Sequence, residues 1–150
     1  MKKNKINEVK IVLDSKSENE GLARYICAAF ASSFNPTIEE IADIKCTVSE
    51  AVTNCVVHAY RGQMGKIYLT LKAFDDRSVS ITVRDRGCGI ENVEVARQPL
   101  YTTDAAGERS GMGFPIMENL SDKFSITSKP GVGTSLTMNF RFKKDPEENV

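Results

Sequence analysis

Several short patterns in this chain carry side chains suited to chemistry. Glu50 and Asn54 stand four residues apart, the spacing that makes two residues neighbours one helical turn apart. A carboxylate there could polarise an attacking hydroxyl or water, and a neutral amide oxygen suits a hard cation such as magnesium. Asp85-x-Gly87-x-Gly89 follows a run of alternating apolar residues. An ionised Asp only accepts hydrogen bonds, so it can receive the exocyclic amino group of adenine and repels the oxygen that guanine carries at that place. The two glycines let backbone come close to a flat base. Gly111-x-Gly113 precedes a helical pattern, and glycine amides at a helix N-terminus hold phosphate oxygens. It is not a Walker loop, because no Gly-Lys-Ser/Thr follows it. Arg109 would compensate charge at a terminal phosphate, and Thr102 and Thr103 would reach the same phosphates. Thr134, after Gly133, would complete a base pocket through its hydroxyl. Each pattern also has a plainer reading: a solvated helix face, ordinary Asp-Gly turns, a flexible hinge, a surface arginine, a threonine that starts a strand. Taken singly, the residues leave both readings open.

The elements that must position them can be read from periodicity. Thr37 and Glu40 form a Thr-x-x-Glu capping box after Asn35-Pro36, which starts a helix. Ile41, Ile44, Val48, Ala51, Val52, Cys55 and Ala59 recur at helical steps as one buried face. Asp43, Thr47, Glu50, Asn54 and His58 form a second, polar face, and Arg61-Gly62 closes the helix. His58 has no assigned role. Upstream, residues 7–13 alternate as a strand, and Ser17 with Glu20 forms another capping box. The helix that box opens is expected to bury Leu22, Ile26, Ala29, Phe30 and Ser33, with Glu20, Arg24 and Ala28 on the other face.

Downstream, Ile67–Ala73 and Val79–Val83 alternate around Asp75-Asp76-Arg77, an antiparallel hairpin with one buried face. Residues 91–110 lose regular periodicity, and a loop of that length in a small domain is a lid, a binding loop or disordered. A short helix from Pro115 to about Leu120 follows, then strands around Phe124-Ile126 and Leu136–Phe142, joined by a turn at Pro130-Gly131. This order predicts an α+β fold: a two-layer sandwich in which helices cover one face of a mixed, mostly antiparallel sheet.

The whole-chain properties narrow the class. At 150 residues the chain is read as one domain, residues 1–150, with frayed ends at about 1–6 and 143–150. Twenty basic and twenty acidic residues cancel, which argues against a general nucleic-acid or membrane-surface binder. No apolar run approaches a membrane span and no signal-peptide segment follows the basic N-terminus, so a cytoplasmic location is expected. Cys27, Cys46, Cys55 and Cys88 form no Cys-x-x-Cys pair, and Cys27 and Cys55 read as buried reduced thiols. With His58 the only histidine, a zinc site is not expected.

In combination the motifs carry a resemblance. Glu50-x-x-x-Asn54, Asp85-x-Gly87-x-Gly89, Gly111-x-Gly113 and Gly133-Thr134 occur in the order of the GHKL ATP-binding fold shared by gyrase, MutL and histidine kinases. More closely, Ser49–Asn54, Ala96–Thr103 and Glu108–Phe114 resemble the sporulation anti-sigma F factors, and the likeness runs from about Val9 to Phe142. The resemblance implies a Bergerat-type sandwich that binds ATP or ADP with magnesium. It implies a serine kinase acting on an anti-anti-sigma protein, and a homodimer that sequesters a sporulation sigma factor, with no direct nucleic-acid or membrane contact. By the same resemblance Glu50 is the catalytic base and Asn54 the magnesium ligand. Asp85, Gly87, Gly89 and Thr134 hold the base, and Gly111, Gly113, Thr102, Thr103 and Arg109 the phosphates. Arg24 meets protein partners. Two alternatives stay open: a non-catalytic module gated by nucleotide, and a histidine-kinase-like catalytic domain.

Overall fold

The computed structural model describes residues 2–98 and 113–143. Five strands form one sheet: β1 (Lys5–Asp14), β2 (Lys66–Phe74), β3 (Ser78–Asp85), β4 (Lys123–Lys129) and β5 (Gly133–Arg141). Their order is β1-β2-β3-β5-β4, and each adjacent pair is antiparallel. The mixed character expected of the sheet is therefore not seen among the described residues. The reason is topological: β5 folds back from β4 and inserts between β4 and β3, so the long β3–β4 connection skips a strand, and the β1–β2 connection through α1 and α2 also returns antiparallel.

Strand alternation does what the apolar pattern requires. Ile67, Leu69, Leu71 and Ala73 of β2, Val79, Ile81 and Val83 of β3, and Leu136, Met138 and Phe140 of β5 are all buried on one face. Helices α1 (Glu18–Ala31), α2 (Ile38–Thr53) and α4 (Gly113–Leu120) cover that face. The alternate residues Thr70, Thr82 and Thr137 form the opposite, uncovered face, where the Thr82 and Thr137 hydroxyls bond across strands at 3.1 Å. The two-layer α+β sandwich is thus the observed architecture. β1 begins at Lys5, and Asn4 bonds the Asp75 carboxylate at 2.9 and 3.1 Å, so the ordered part of the N-terminus reaches further than the alternation suggested.

The two capping boxes fare differently. At α2 both halves form: Glu40 N donates to Thr37 Oγ1 at 3.1 Å, and Thr37 N donates to Glu40 Oε1 at 2.9 Å. At α1 Ser17 has helical backbone angles, φ −56° and ψ −36°, and makes no side-chain cap. Backbone bonds from Asn19 N to Lys16 O and from Glu20 N to Ser17 O satisfy those amides instead. The buried face of α1 is shifted in part: Ile26 and Phe30 pack against the core as expected, whereas Ala28 turns inward and Leu22 and Ala29 outward. Ala23, Cys27, Ala28 and Ala31 are buried, while Leu22 is 48% exposed. Small side chains let α1 lie close on α2, and burying the larger Leu22 would push the helices apart. Thr47, expected on the polar face of α2, is fully buried, and its hydroxyl donates to Ile44 O at 3.0 Å.

The cap geometry gives a paired expectation. Thr37→Ala should lower the free energy of unfolding by about 1 kcal/mol. Ser17→Ala should cost no more than a few tenths, because no cap bond is lost. Parallel urea melts of the two variants measure both.

Candidate functional site

α2 is anchored by its cap at one end and by the core at the other. Ile44, Val48, Ala51 and Val52 are completely buried, which turns Glu50 and Asn54 toward α4. A Cβ at Gly113, the first residue of α4, would lie 3.2 Å from Glu50 Oε2 and 3.6 Å from both amide atoms of Asn54. A carboxylate, an amide and the N-terminal end of a helix therefore meet at one point. The positive dipole end of α4 makes that point favourable for an anion, and the absence of a side chain on Gly113 lets Glu50 and Asn54 come close to it.

Beyond Asn54 the helix changes form. Residues Asn54–Ala59 make a π turn, and Tyr60 N bonds Cys55 O at 3.0 Å. The regular helix expected through Tyr60 is thus widened by one residue, a feature often found at functional positions. The wide turn is stapled to the segment after β3. Ala59 O accepts from Cys88 N at 3.0 Å, His58 O accepts the Cys88 thiol at 3.4 Å, and the Tyr60 hydroxyl accepts from Arg86 N at 2.8 Å. The Cys55 thiol points at the end of β3 and donates to Asp85 Oδ2 at 3.6 Å.

Asp85 is the last residue of β3, paired in register with Thr134 of β5, and is only 6% exposed. Its Oδ1 accepts two backbone N–H groups, from Gly87 at 3.0 Å and from Thr134 at 3.2 Å. Burial pushes the Asp85 carboxyl above the usual carboxylate range, while the bonds from Gly87, Thr134 and Cys55 pull the other way. Burial, with the Asp85 charge beside it, holds the Cys55 thiol well above its ordinary value, so Cys55 stays a donor.

Two glycines let the surrounding backbone close in. Gly89 has φ +73°, and a Cβ there would collide with the Lys129 carbonyl. Gly133 has φ +142°, and a Cβ there would collide with the Asp85 carbonyl. Gly87 packs directly on Ala59. The Thr134 hydroxyl contacts Ser128 Oγ at 2.8 Å, and Ser128 also accepts from Ile90 N at 2.8 Å.

Of the residues singled out in the sequence, Glu50, Asn54 and Gly113 form one group, and Asp85, Gly87, Gly89 and Thr134 form a second. The π turn joins the two, since Asn54 and Cys55 are consecutive. Thr102, Thr103, Arg109 and Gly111 lie outside the described residues. Arg24 is half-buried on α1, with its guanidinium turned back toward Gly21. Among the described residues no group of three His, Cys, Asp or Glu side chains could cage a metal. Asn54 alone offers a neutral oxygen, which fits a magnesium ion shared with phosphates and water and not one held by protein alone.

Sequence reasoning missed two contacts at the site and one short helix outside it. Cys55 lies in the core, as its spacing predicts, but that spacing announces neither its thiol contact with Asp85 nor the π turn. The short helix α3 (Val93–Ala96) is capped by Asn92 Oδ1, which accepts Val95 N at 3.1 Å, within a stretch that has no periodicity. Ser128 left a usable signal: it occupies an inward position in the alternation Phe124, Ile126, Ser128, where an apolar residue is the rule.

Residues 13–140 match the family model described as the histidine kinase-like ATPase domain. The chain is 51% identical over 139 residues to an anti-sigma F factor of Caldanaerobacter subterraneus subsp. tengcongensis, covering 92% of this chain and 94% of that protein. It is 45% identical over 139 residues to an anti-sigma F factor of Bacillus licheniformis, with the same coverage of 92% and 94%. Among solved structures, the RsbU and RsbW domains of a Mycobacterium tuberculosis protein align with a TM-score of 0.66 at 22% identity, over 93% of this chain and 34% of that one. Full-length ShkA in complex with AMPPNP aligns with a TM-score of 0.58 at 17% identity, over 93% of this chain and 32% of that one. At those identities the structural likeness speaks for the fold alone. The fold, the family model and the close relatives agree, and the chain belongs to the histidine kinase-like ATPase family and, within it, to the anti-sigma F factors.

Proposed function

We propose that this chain, as a single domain spanning residues 1–150, is an ATP-dependent protein-serine kinase and anti-sigma factor. It binds a sporulation sigma factor, keeps it from RNA polymerase, and phosphorylates an anti-anti-sigma protein on serine. The observation that carries the reading is the meeting of Glu50, Asn54 and the first residue of α4 at one point, joined by the π turn to the buried Asp85. A base pocket and an anion site linked in this way suit a purine nucleotide with its phosphates.

In this reading Asp85 Oδ2 and Thr134 take the adenine amino group, and Gly87 and Gly89 let the backbone close over the ring. The amides of Gly113 and Gly111 hold phosphate oxygens, with Arg109, Thr102 and Thr103 as further contacts carried over from the family resemblance. Asn54 would hold magnesium, which neutralises charge on the phosphates when bound. Glu50 accepts the proton of the acceptor serine. The serine oxygen bonds to the γ-phosphorus as the β–γ bridging bond breaks, and ADP leaves with that electron pair. Proton acceptance of this kind typically contributes about 10²–10⁴-fold in rate. The acceptor serine arrives on another chain, and Arg24 on α1 is assigned to partner contact. The working form is a homodimer in the cytoplasm with no direct nucleic-acid contact. No helix among the described residues is long and apolar enough to cross a membrane.

Incubation with γ-labelled ATP, magnesium and a candidate anti-anti-sigma protein, followed by mapping of the label, tests the activity. Acid-stable phosphate on serine is the expected result. Glu50→Gln should keep nucleotide binding and lower transfer at least about 10²-fold. Undiminished transfer would remove Glu50 from the base role.

Asp85→Asn keeps an acceptor for Gly87 and Thr134 but presents an amide NH2 to the Cys55 thiol and to the base, so ATP affinity should fall about 10- to 100-fold. Its stability should respond in the opposite sense. The folded Asp85 carboxyl is held above its ordinary value, so its ionisation opposes folding, and stability is lost as pH rises from the ordinary value through the folded one. Asparagine carries no such penalty. Thermal melts should therefore show the difference between variant and parent moving in the variant's favour as pH rises from the ordinary carboxylate value through the folded one. A variant that binds ATP as well as the parent would sink the adenine assignment.

A further inference from the structure

Ser128 brings a hydroxyl to an inward position of β4, and its oxygen meets three polar atoms. Ile90 N donates to it at 2.8 Å, the Gly133 carbonyl lies at 3.1 Å, and Thr134 Oγ1 lies at 2.8 Å. A serine hydroxyl has one proton and two acceptor sites. A carbonyl oxygen can only accept, so the Ser128 proton goes to Gly133 O. One acceptor site takes the Ile90 N–H. With that proton on Gly133 O, the last contact takes one of the two polarities its geometry allows: the Thr134 hydroxyl donates to Ser128 Oγ. Thr134 has no second proton, and its oxygen is left as an acceptor.

Thr134 faces Asp85 across the β3–β5 ladder on the helix-covered side of the sheet. Asp85 Oδ1 is occupied by the Gly87 and Thr134 amides, and Oδ2 receives the Cys55 thiol. Asp85 and Thr134, paired across β3 and β5, therefore each offer an acceptor, one by its charge and one by the direction that Ser128 imposes.

We infer that Ser128 is a positioning residue that sets base specificity. It holds the Thr134 hydroxyl so that Thr134 Oγ1 and Asp85 Oδ2 together accept a 6-amino purine and repel a 6-oxo purine. The inference rests on the reading of this pocket as a purine site. It adds a discriminating element to Asp85: with the Thr134 hydroxyl free to turn, Thr134 would donate to a 6-oxo group while Asp85 accepted the adjoining ring N–H. Base selectivity would then relax.

The test is titration of the full-length chain, with magnesium, by ATP and by inosine triphosphate, which differ at ring position 6. The parent should prefer ATP. Ser128→Ala should lower the ratio of ATP to inosine triphosphate affinity about tenfold, the equivalent of one hydrogen-bond polarity reversed. Ser128→Cys, which keeps the volume and weakens both roles of the oxygen, should move the ratio the same way and covers a failure of the alanine variant to fold. In a Thr134→Val background neither Ser128 change should alter the ratio. A merely structural role for Ser128 would weaken both nucleotides alike and leave the ratio constant. An unchanged ratio in Ser128 variants that still bind ATP would overturn the inference and leave the adenine reading intact, and so would an equal fall in the Thr134→Val background. A parent chain that binds neither nucleotide would overturn the adenine reading, and this inference with it.

Discussion

The Asp85 carboxylate is the constraint around which this fold closes. A carboxylate 6% exposed at the end of a strand must be met by donors, and four segments supply or fix them. Gly87 lies on the loop that follows, Thr134 on the neighbouring strand, and Cys55 on the helical layer above. Ser128 on the edge strand holds Thr134 in place. An unmet buried acceptor costs on the order of 1–3 kcal/mol, so these contacts draw the helical layer and the sheet into one register. The positive φ of Gly89 and Gly133 follows from the same closure, because side chains there would strike the carbonyls of Lys129 and Asp85.

The π turn transmits that register to the other half of the site. In an unbroken α-helix the residues beyond Asn54 would follow a 3.6-residue period from Glu50. Cys55, on the buried face with Ala51 and Val52, meets Asp85, and the wide turn after it ends with Ala59 O at Cys88 N. Glu50 in α2 and Asn54, where the π turn begins, face the start of α4. The break thus lets a single helix serve two sites with different angular demands. In the proposed kinase, base recognition and phosphate handling share one rigid element, which fits a reaction that depends on positioning more than on covalent chemistry.

Much of this was legible in the sequence, because the signals were local. The Thr37–Glu40 box, the β2–β3 hairpin and the early-turn Pro115 of α4 each depend on a few neighbouring residues, and each forms as read. The α+β sandwich follows from alternating strands and amphipathic helices. The failures were those in which tertiary contact overrides a local rule. Ser17 lost its cap to competing backbone bonds, and the inward face of α1 was set by which side chains allow close approach to α2. Thr47 satisfied its hydroxyl within its own helix and could be buried. The sheet lost its mixed character because strand order depends on which hairpin inserts where, which spacing alone does not encode. At the site, the motif glycines and acids were visible, whereas Cys55 and Ser128 act through partners more than twenty residues or across a strand pair away.

The most direct test of the account is a crystal structure of this chain with magnesium and a non-hydrolysable ATP analogue. The adenine amino group should lie within hydrogen-bonding distance of Asp85 Oδ2, the metal on the Asn54 side-chain oxygen, and the γ-phosphate between Glu50 and the start of α4. A nucleotide bound elsewhere, or one whose base turns its amino group away from Asp85 while the phosphates lie far from Glu50, would contradict it.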